Sequence, residues 1–266
     1  MWIVRFISDL KKYFHYVVYA GKAELRAEVA NSYLNWLWWI IEPFCFMLVY
    51  TFIFGYVFNA SEEYFPLFIF VGISMWDFFN RMLMDSVKVV RNNKSIISKV
   101  YLPKYMLLLI KMYVNGFKMM ISLLIVVGMM LFYRVPVTIN VLWFIPVILT
   151  HMVITFAVCT FLLHFGVYVV DLENVIRIVL RLLFYCTGIF YNVEKRFASA
   201  LGATAGGLIV RLNPVALTLA SMRSCLIYGE APHYKWLFMW LIVGGVFSLL
   251  GIRLIYKNEN SYVKVI

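Results

Sequence analysis

The chain has 266 residues, of which 64% are hydrophobic and 14% are charged. Soluble domains carry about 25% charged residues, so this composition excludes a water-soluble domain and predicts an all-α integral membrane protein. The formal net charge is +11, but the basic residues lie between the apolar runs, where they fix the orientation of a membrane protein. We therefore expect contacts with membrane lipids and no binding of nucleic acid.

Residues 1–35 are predicted to form a cytosolic amphipathic helix that lies in the membrane interface. Apolar residues recur in this segment every three or four positions, which is typical of such a helix. A soluble cytosolic helix that packs on the rest of the protein is the alternative. No continuous apolar segment precedes the first long apolar run, so a cleaved signal peptide is not expected. Residues 36–266 are predicted to form one transmembrane domain.

Six membrane-spanning helices are predicted, with both termini in the cytosol. Residues 87–105 contain five basic residues and no acidic residue, so the positive-inside rule places this segment in the cytosol. Arg177 and Arg181 interrupt the fifth apolar run and are expected to reach the cytosolic interface. Residues 197–212 are short and rich in alanine and glycine, and we interpret them as a re-entrant helix that enters from the outer side. The predicted spans are residues 36–58, 64–86, 107–133, 141–170, 175–192 and 234–256.

Four ionisable residues lie inside the first two predicted spans. Glu42 precedes Pro43, which bends a helix, so Glu42 faces either a pathway or the cytosolic interface. Asp77, Arg81 and Asp85 are spaced at i, i+4 and i+8 and share one helix face, so the arginine can pair with either acid. Structural pairing is favoured over a proton relay.

No catalytic centre is predicted, and the chain is not expected to be an enzyme. The sequence lacks the Gly-x-x-x-x-Gly-Lys-Ser/Thr loop that holds ATP phosphates, so another polypeptide would have to hydrolyse ATP. His151 and His164 are 13 residues apart and point away from each other on one helix. The four cysteines form no Cys-x-x-Cys pair. We predict neither a cofactor nor a metal site in this chain.

Aromatic residues are the best candidates for a substrate pathway. They make up 18% of the chain, and those of the first span recur at steps of 3, 7, 4 and 4 along one face: Trp36, Trp39, Phe46, Tyr50 and Phe54. Such a stripe offers stacking surface and hydroxyl groups that suit a sugar chain. Aromatic residues that face lipid or pack against other helices are the alternative.

Three groups of residues resemble the ABC-2 type permeases that export O-antigen polysaccharides or teichoic acids, and the resemblance covers essentially the whole chain. The first group is Glu24-Leu-Arg26, Ser32-Tyr-Leu-Asn-Trp36, Trp39 and Pro43, with Asn35 where glycine is usual. The second is similar to the cytosolic segment that contacts the ATPase: Phe70-Val-Gly72, Trp76, Phe78-Phe79, Ser86, Asn92-Asn93, Ile96-Ile97, Lys99 and Leu102-Pro103. The third contains Val170-Asp171-Leu172 and an expected outer-surface segment with Asn213-Pro214, Arg223 and Gly229.

The resemblance implies a homodimer of permeases with two ATP-binding cassette subunits, which would bind ATP and Mg²⁺. It also implies a channel along the two-fold axis that carries a lipid-linked glycan across the cytoplasmic membrane of a bacterium. The implied channel residues are the first-span stripe and Phe184, Tyr185, Phe190 and Tyr191. The implied ATPase contact is formed by Arg91, Lys94, Ser95, Lys99 and Pro103. An ABC-2 permease for a drug or a lipid is the alternative, followed by an ion-coupled carrier.

Overall fold

The computed structural model describes residues 2–30, 33–57, 62–196 and 203–265, and within these ranges it contains helices and no strand. The helices are α1 (Trp2–Val29), α2 (Trp38–Tyr50), α3 (Phe65–Asn92), α4 (Lys94–Ile97), α5 (Tyr105–Phe132), α6 (Phe144–Tyr168), α7 (Leu172–Cys186), α8 (Ala203–Leu212), α9 (Pro214–Leu226) and α10 (Tyr234–Val265). Short 3₁₀ segments precede α2 and α6, and a π-helical stretch, Thr51–Val57, extends α2.

Among the described residues, five helical stretches are long and apolar enough to cross a membrane. They are Asn35–Tyr56, Phe65–Asn92, Tyr105–Phe132, Ile139–Tyr168 and Tyr234–Tyr262, which correspond to the first four predicted spans and the last one. The predicted span 175–192 differs, because its helix, α7, has only 15 residues. At 1.5 Å per residue α7 measures about 22 Å, less than the roughly 30 Å hydrocarbon layer.

Helix α3 lies at the centre of the bundle, against α2, α5, α6, α7 and α9. Most of its side chains are buried, because neighbouring helices surround it. Two glycines allow the closest helix contacts: Gly166 of α6 lies on the backbone of Val87 of α3, and Gly251 of α10 lies on Thr160 of α6. A β-carbon at either glycine would collide with its neighbour, which is why small residues occur at such crossings.

Helix α1 packs along α5 and leaves apolar side chains on its other side. Lys118 of α5 pairs with Glu28 of α1 at 2.6 Å, and Lys111 pairs with Glu24. Large apolar residues of α1 remain exposed, among them Val4, Ile7 and Phe14. The helix predicted within residues 1–35 is therefore present, and its place in the membrane interface stays a prediction.

The helix that follows Asn213 is mostly buried among other helices, whereas Glu230 and Ala231 after it are exposed; the place of this segment on the outer side of the membrane stays a prediction. The Asn213 side chain accepts hydrogen bonds from the amides of Val215 and Ala216, at 3.1 and 3.2 Å, and begins α9. Helix α9 is apolar on most of its circumference, so it packs against α3 and α6. Of the segment 197–212, which is predicted to be re-entrant, residues 203–212 form α8, and 197–202 lie outside the described residues.

Candidate functional site

An aromatic cluster joins α2 and its π-helical extension to α3, α7 and the turn after α7. Phe190 lies at its centre: its ring centroid is 4.4 Å from that of Phe54, 4.7 Å from Tyr50 and 5.2 Å from Phe184. Trp76 of α3 lies 5.6 Å from Phe184. The cluster consists of Phe46, Tyr50, Phe54, Trp76, Phe184, Tyr185 and Phe190.

A buried arginine of α9 holds the turn that carries Phe190. Arg223 is 4% exposed, and its guanidinium donates hydrogen bonds to the carbonyls of Gly188 (2.7 Å), Ile189 (2.8 Å) and Phe68 (3.1 Å). Gly188 has a φ of +73°, a backbone conformation that favours glycine, so α7 ends here and the chain turns. Arg223 thereby fixes Phe190 in the cluster.

Of the predicted channel residues, Phe184, Tyr185 and Phe190 lie in this cluster together with Phe46, Tyr50 and Phe54 of the first-span stripe. Their role in a channel stays a prediction. Trp39 lies instead against Phe117 of α5, with ring centroids 6.0 Å apart, and Trp36 is 53% exposed. Trp39 precedes Tyr50 by about 16 Å along a helix axis. At the position of Trp39, α2 faces α5. Tyr191 only borders the cluster, where its hydroxyl donates to the carbonyl of Tyr185 at 2.9 Å.

Trp76 belongs to the cluster but was not among the predicted channel residues. In the sequence it stood out only as part of a motif. An aromatic residue beside an acidic one in an apolar span could nevertheless have marked it as a candidate. One edge of the cluster remains open, because Phe46 is 48% exposed and Tyr185 is 60% exposed. The cluster therefore offers ring faces and hydroxyl groups that a sugar can contact from outside the chain.

The ionisable residues of the first two spans connect neighbouring helices. Arg81 forms its ion pair with Glu42 of α2, at 3.0 Å, although the sequence suggested a partner on its own helix. Asp85 accepts a hydrogen bond from the Asn115 amide of α5 at 3.2 Å. Asp77 lines a small cleft together with Arg81. Contacts of this kind are typical of structural pairing.

The predicted ATPase contact is a mixed polar and apolar surface formed by α4 and the following loop. Lys94, Ser95 and Lys99 are exposed there, next to exposed Ile96, Val100 and Tyr101. Pro103 is buried and does not belong to this surface. Arg91 is partly buried at the end of α3, and its Nε and Nη2 atoms have no hydrogen-bond partner among the described residues.

A terminal junction ties this loop to both ends of the chain; its residues are Arg5, Asp9, Tyr101, Tyr256 and Glu259. Arg5 pairs with Glu259 at 2.7 Å and also contacts the Tyr101 hydroxyl. Tyr101 donates to Glu259 at 3.0 Å, and Tyr256 donates to Asp9 at 2.7 Å. Burial and the Glu259 carboxylate raise the pKa of Tyr101 to about 12. A displacement of the loop would therefore act on α1 and α10 together.

His151 is buried and connects three helices. One ring nitrogen lies 2.9 Å from the Thr218 hydroxyl of α9, and the other lies 3.1 Å from the Met75 carbonyl of α3. Both ring nitrogens thus have partners in the protein. The position suits a packing residue that joins α6 to α3 and α9.

Comparison with known proteins identifies relatives along nearly the whole chain. Two O-antigen export system permease proteins RfbA from Klebsiella pneumoniae are each 24% identical over 254 residues, which are 95% of this chain and 95% of the relative. Another, from Myxococcus xanthus, is 26% identical over 222 residues, or 84% of each chain. No protein-family model matches the chain. The relatives confirm the resemblance that the motifs predicted, to ABC-2 type permeases of O-antigen exporters.

Proposed function

We propose that the chain is the membrane-spanning permease subunit of an ABC exporter that moves a lipid-linked polysaccharide out of the cytosol. The observation that carries this proposal is the similarity to O-antigen export permeases over 95% of the chain. The aromatic cluster supports it, because sugar rings present apolar faces that stack on aromatic side chains and polar edges that bond to hydroxyl groups. Stacking depends on the apolar face of a sugar ring and not on one particular sugar, so the same site can contact successive units of a moving polymer.

The proposed topology has six crossings with both termini in the cytosol. Glu173 at the start of α7 lies 3.8 Å from Lys88 near the predicted cytosolic end of α3. After α7, Lys195 lies 3.0 Å from Glu62, which precedes the other end of α3. Between residues 173 and 195 the chain thus passes from one end of α3 to the other. This supports a fifth crossing made by α7 and the turn after it, followed by α8 and α9 as re-entrant helices.

The return crossing by α10 fits the same topology. His233, just before α10, lies 3.6 Å from Glu194, near Lys195 on the predicted outer side. Glu259, near the other end of α10, pairs with Arg5 at the terminal junction. The two ends of α10 therefore contact residues that are predicted to lie on opposite sides of the membrane.

The working unit that we propose is two copies of this chain with two ATP-binding cassette subunits. Helix α2 is largely exposed on the single chain, so it must face lipid, a second copy or the substrate. In the proposed dimer the open edges of both aromatic clusters face one shared pathway. The partner subunits bind ATP and Mg²⁺ and contact the surface around α4. Closure of those subunits shifts the packed helices between discrete arrangements.

The test is export by the reconstituted complex. The chain is purified together with its ATPase subunit and placed in vesicles that contain its lipid-linked glycan. We expect ATP-dependent movement of the glycan across the bilayer, and no movement without the ATPase subunit. If the chain is instead a drug or lipid permease, the ATPase subunit should hydrolyse ATP faster with that drug or lipid and not with the glycan. Glycan movement without ATP or any ATPase would contradict the proposal and favour an ion-coupled carrier.

A further inference from the structure

A cleft of about 330 Å³ opens between α3 and α7 next to the aromatic cluster. Its walls carry Trp76 and Asn80 from α3, and Arg177, Arg181 and Phe184 from α7. Trp76 and Phe184 belong to the aromatic cluster as well, and their ring centroids are 5.6 Å apart. The cleft and the cluster therefore form one continuous surface, cationic at one end and aromatic at the other.

The cationic end carries more positive charge than its surroundings neutralise. Arg177 donates to Glu173 at 3.2 Å, and Lys88 lies 3.8 Å from the same carboxylate. Arg181, one turn further along α7, is exposed and has no ion pair or hydrogen bond with any residue in the described part of the chain. Arg177 and Lys88 thus share one acid, and Arg181 has none among the described residues.

The position of Arg181 makes a lipid-facing role costly. It lies six residues inside the predicted span 175–192, which is about 9 Å along a helix axis and close to a third of the roughly 30 Å hydrocarbon layer. A charged side chain at that depth normally faces water or a partner of opposite charge. Arg177 lies about 6 Å nearer the start of the helix, where a side chain reaches the interface more easily.

We infer that this cleft binds the phosphate or pyrophosphate group that joins a glycan to its lipid carrier. A guanidinium group pairs with phosphate through two parallel hydrogen bonds, and the Asn80 amide can donate another. With the anionic group held by Arg181 and Arg177, the first sugar would lie on Trp76 and Phe184, at the start of the aromatic cluster. This inference rests on the proposed function and identifies the part of the substrate that enters first.

The test measures ATP hydrolysis by the reconstituted complex against the concentration of lipid-linked glycan. For Arg181→Gln we expect the half-stimulating concentration to rise about tenfold, as for the loss of one charge-assisted hydrogen-bond pair. Arg181→Lys keeps the positive charge but cannot form the two parallel hydrogen bonds, so the half-stimulating concentration should rise less than for Arg181→Gln. The matched control is Arg253→Gln, which removes an exposed arginine of α10 and should leave the concentration unchanged. If Arg181→Gln fails to assemble, Arg181→Lys gives the same comparison.

Two further arms separate the sources of the phosphate group. The titration is repeated in phosphatidylethanolamine vesicles with and without phosphatidylglycerol, and with the same glycan released from both its lipid and its phosphate group. The inference requires the shift in both kinds of vesicle and no stimulation by the released glycan. A shift only with phosphatidylglycerol would assign the arginines to bulk lipid headgroups and overturn it, and so would an unchanged half-stimulating concentration. If the wild-type complex does not respond to lipid-linked glycan at all, the proposed function itself fails.

Discussion

Replacement of Arg223 by methionine should release the turn that positions Phe190. The guanidinium donates three hydrogen bonds to backbone carbonyls, at 2.7, 2.8 and 3.1 Å, and its Cζ atom lies 3.5 Å from the Phe68 ring centroid. Hydrogen bonds from charged donors contribute about 1.5–3 kcal/mol each, but removal of the buried charge recovers part of its desolvation cost. We expect a net loss of about 3 kcal/mol in the free energy of unfolding.

The assays are thermal unfolding of the purified complex and glycan export in vesicles. A loss of that size should lower the unfolding temperature by on the order of 10 °C, and export should fall because Phe190 no longer holds the cluster together. Arg223→Lys should be intermediate, since one ammonium cannot reach three separate carbonyls with good geometry. Arg253→Met, at an exposed site, should change neither quantity. If the Arg223→Met complex keeps the wild-type unfolding temperature and export, Arg223 does not hold the turn that positions Phe190.

Three other changes test the pathway, the ATPase contact and the terminal junction. Tyr50→Ala should lower glycan export with the complex still assembled, because it removes a ring that packs against Phe190. Lys94→Ala combined with Lys99→Ala should weaken co-purification of the ATPase subunit, as expected for loss of exposed charges at an interface. Because the pKa of Tyr101 is raised from 10 to about 12, its contribution to stability is complete below pH 10 and is lost as the pH rises towards 12. Tyr101→Phe should therefore flatten the fall in unfolding temperature over that pH range.

Each of these changes has a control or a contradicting outcome. Phe132→Ala removes an exposed aromatic residue at the end of α5 and should leave export intact; an equal loss in both variants would assign Tyr50 to general packing. Lys235→Ala, at the other end of the molecule, should not affect ATPase binding. If Tyr101→Phe follows the wild-type pH curve, the hydroxyl does not stabilise the junction.

The sequence predicted the long spans well, because about 20 apolar residues cross a membrane only as a helix. It extended the fifth helix to residue 192, whereas α7 ends at Cys186. The ending depends on the conformation of Gly188 and on hydrogen bonds from Arg223, which is 35 residues away along the chain. No local pattern encodes a contact of that kind.

Only part of the candidate site was predicted, again because local sequence patterns do not encode contacts between distant residues. Periodicity grouped Trp36 and Trp39 with Tyr50, but it cannot tell which neighbouring helix lies opposite each turn of α2. The buried state of Arg223 was also missed, because an arginine after Asn213-Pro214 is typical of a surface segment. Its burial depends on carbonyls contributed by α3 and by the turn after α7.

The two glycine crossings determine which helices are able to separate. At Gly166 the backbone of α6 lies on the backbone of α3, and at Gly251 the backbone of α10 lies directly on the Thr160 side chain of α6, so sliding one helix past another would drive atoms into each other. These three helices should move as a single rigid block. Helices α2 and α7 contact α3 through side chains, including the rings around Phe190, which can adopt other rotamers. We therefore expect α2 and α7, the two helices that carry most of the aromatic cluster, to move when the path widens for a bulky polymer.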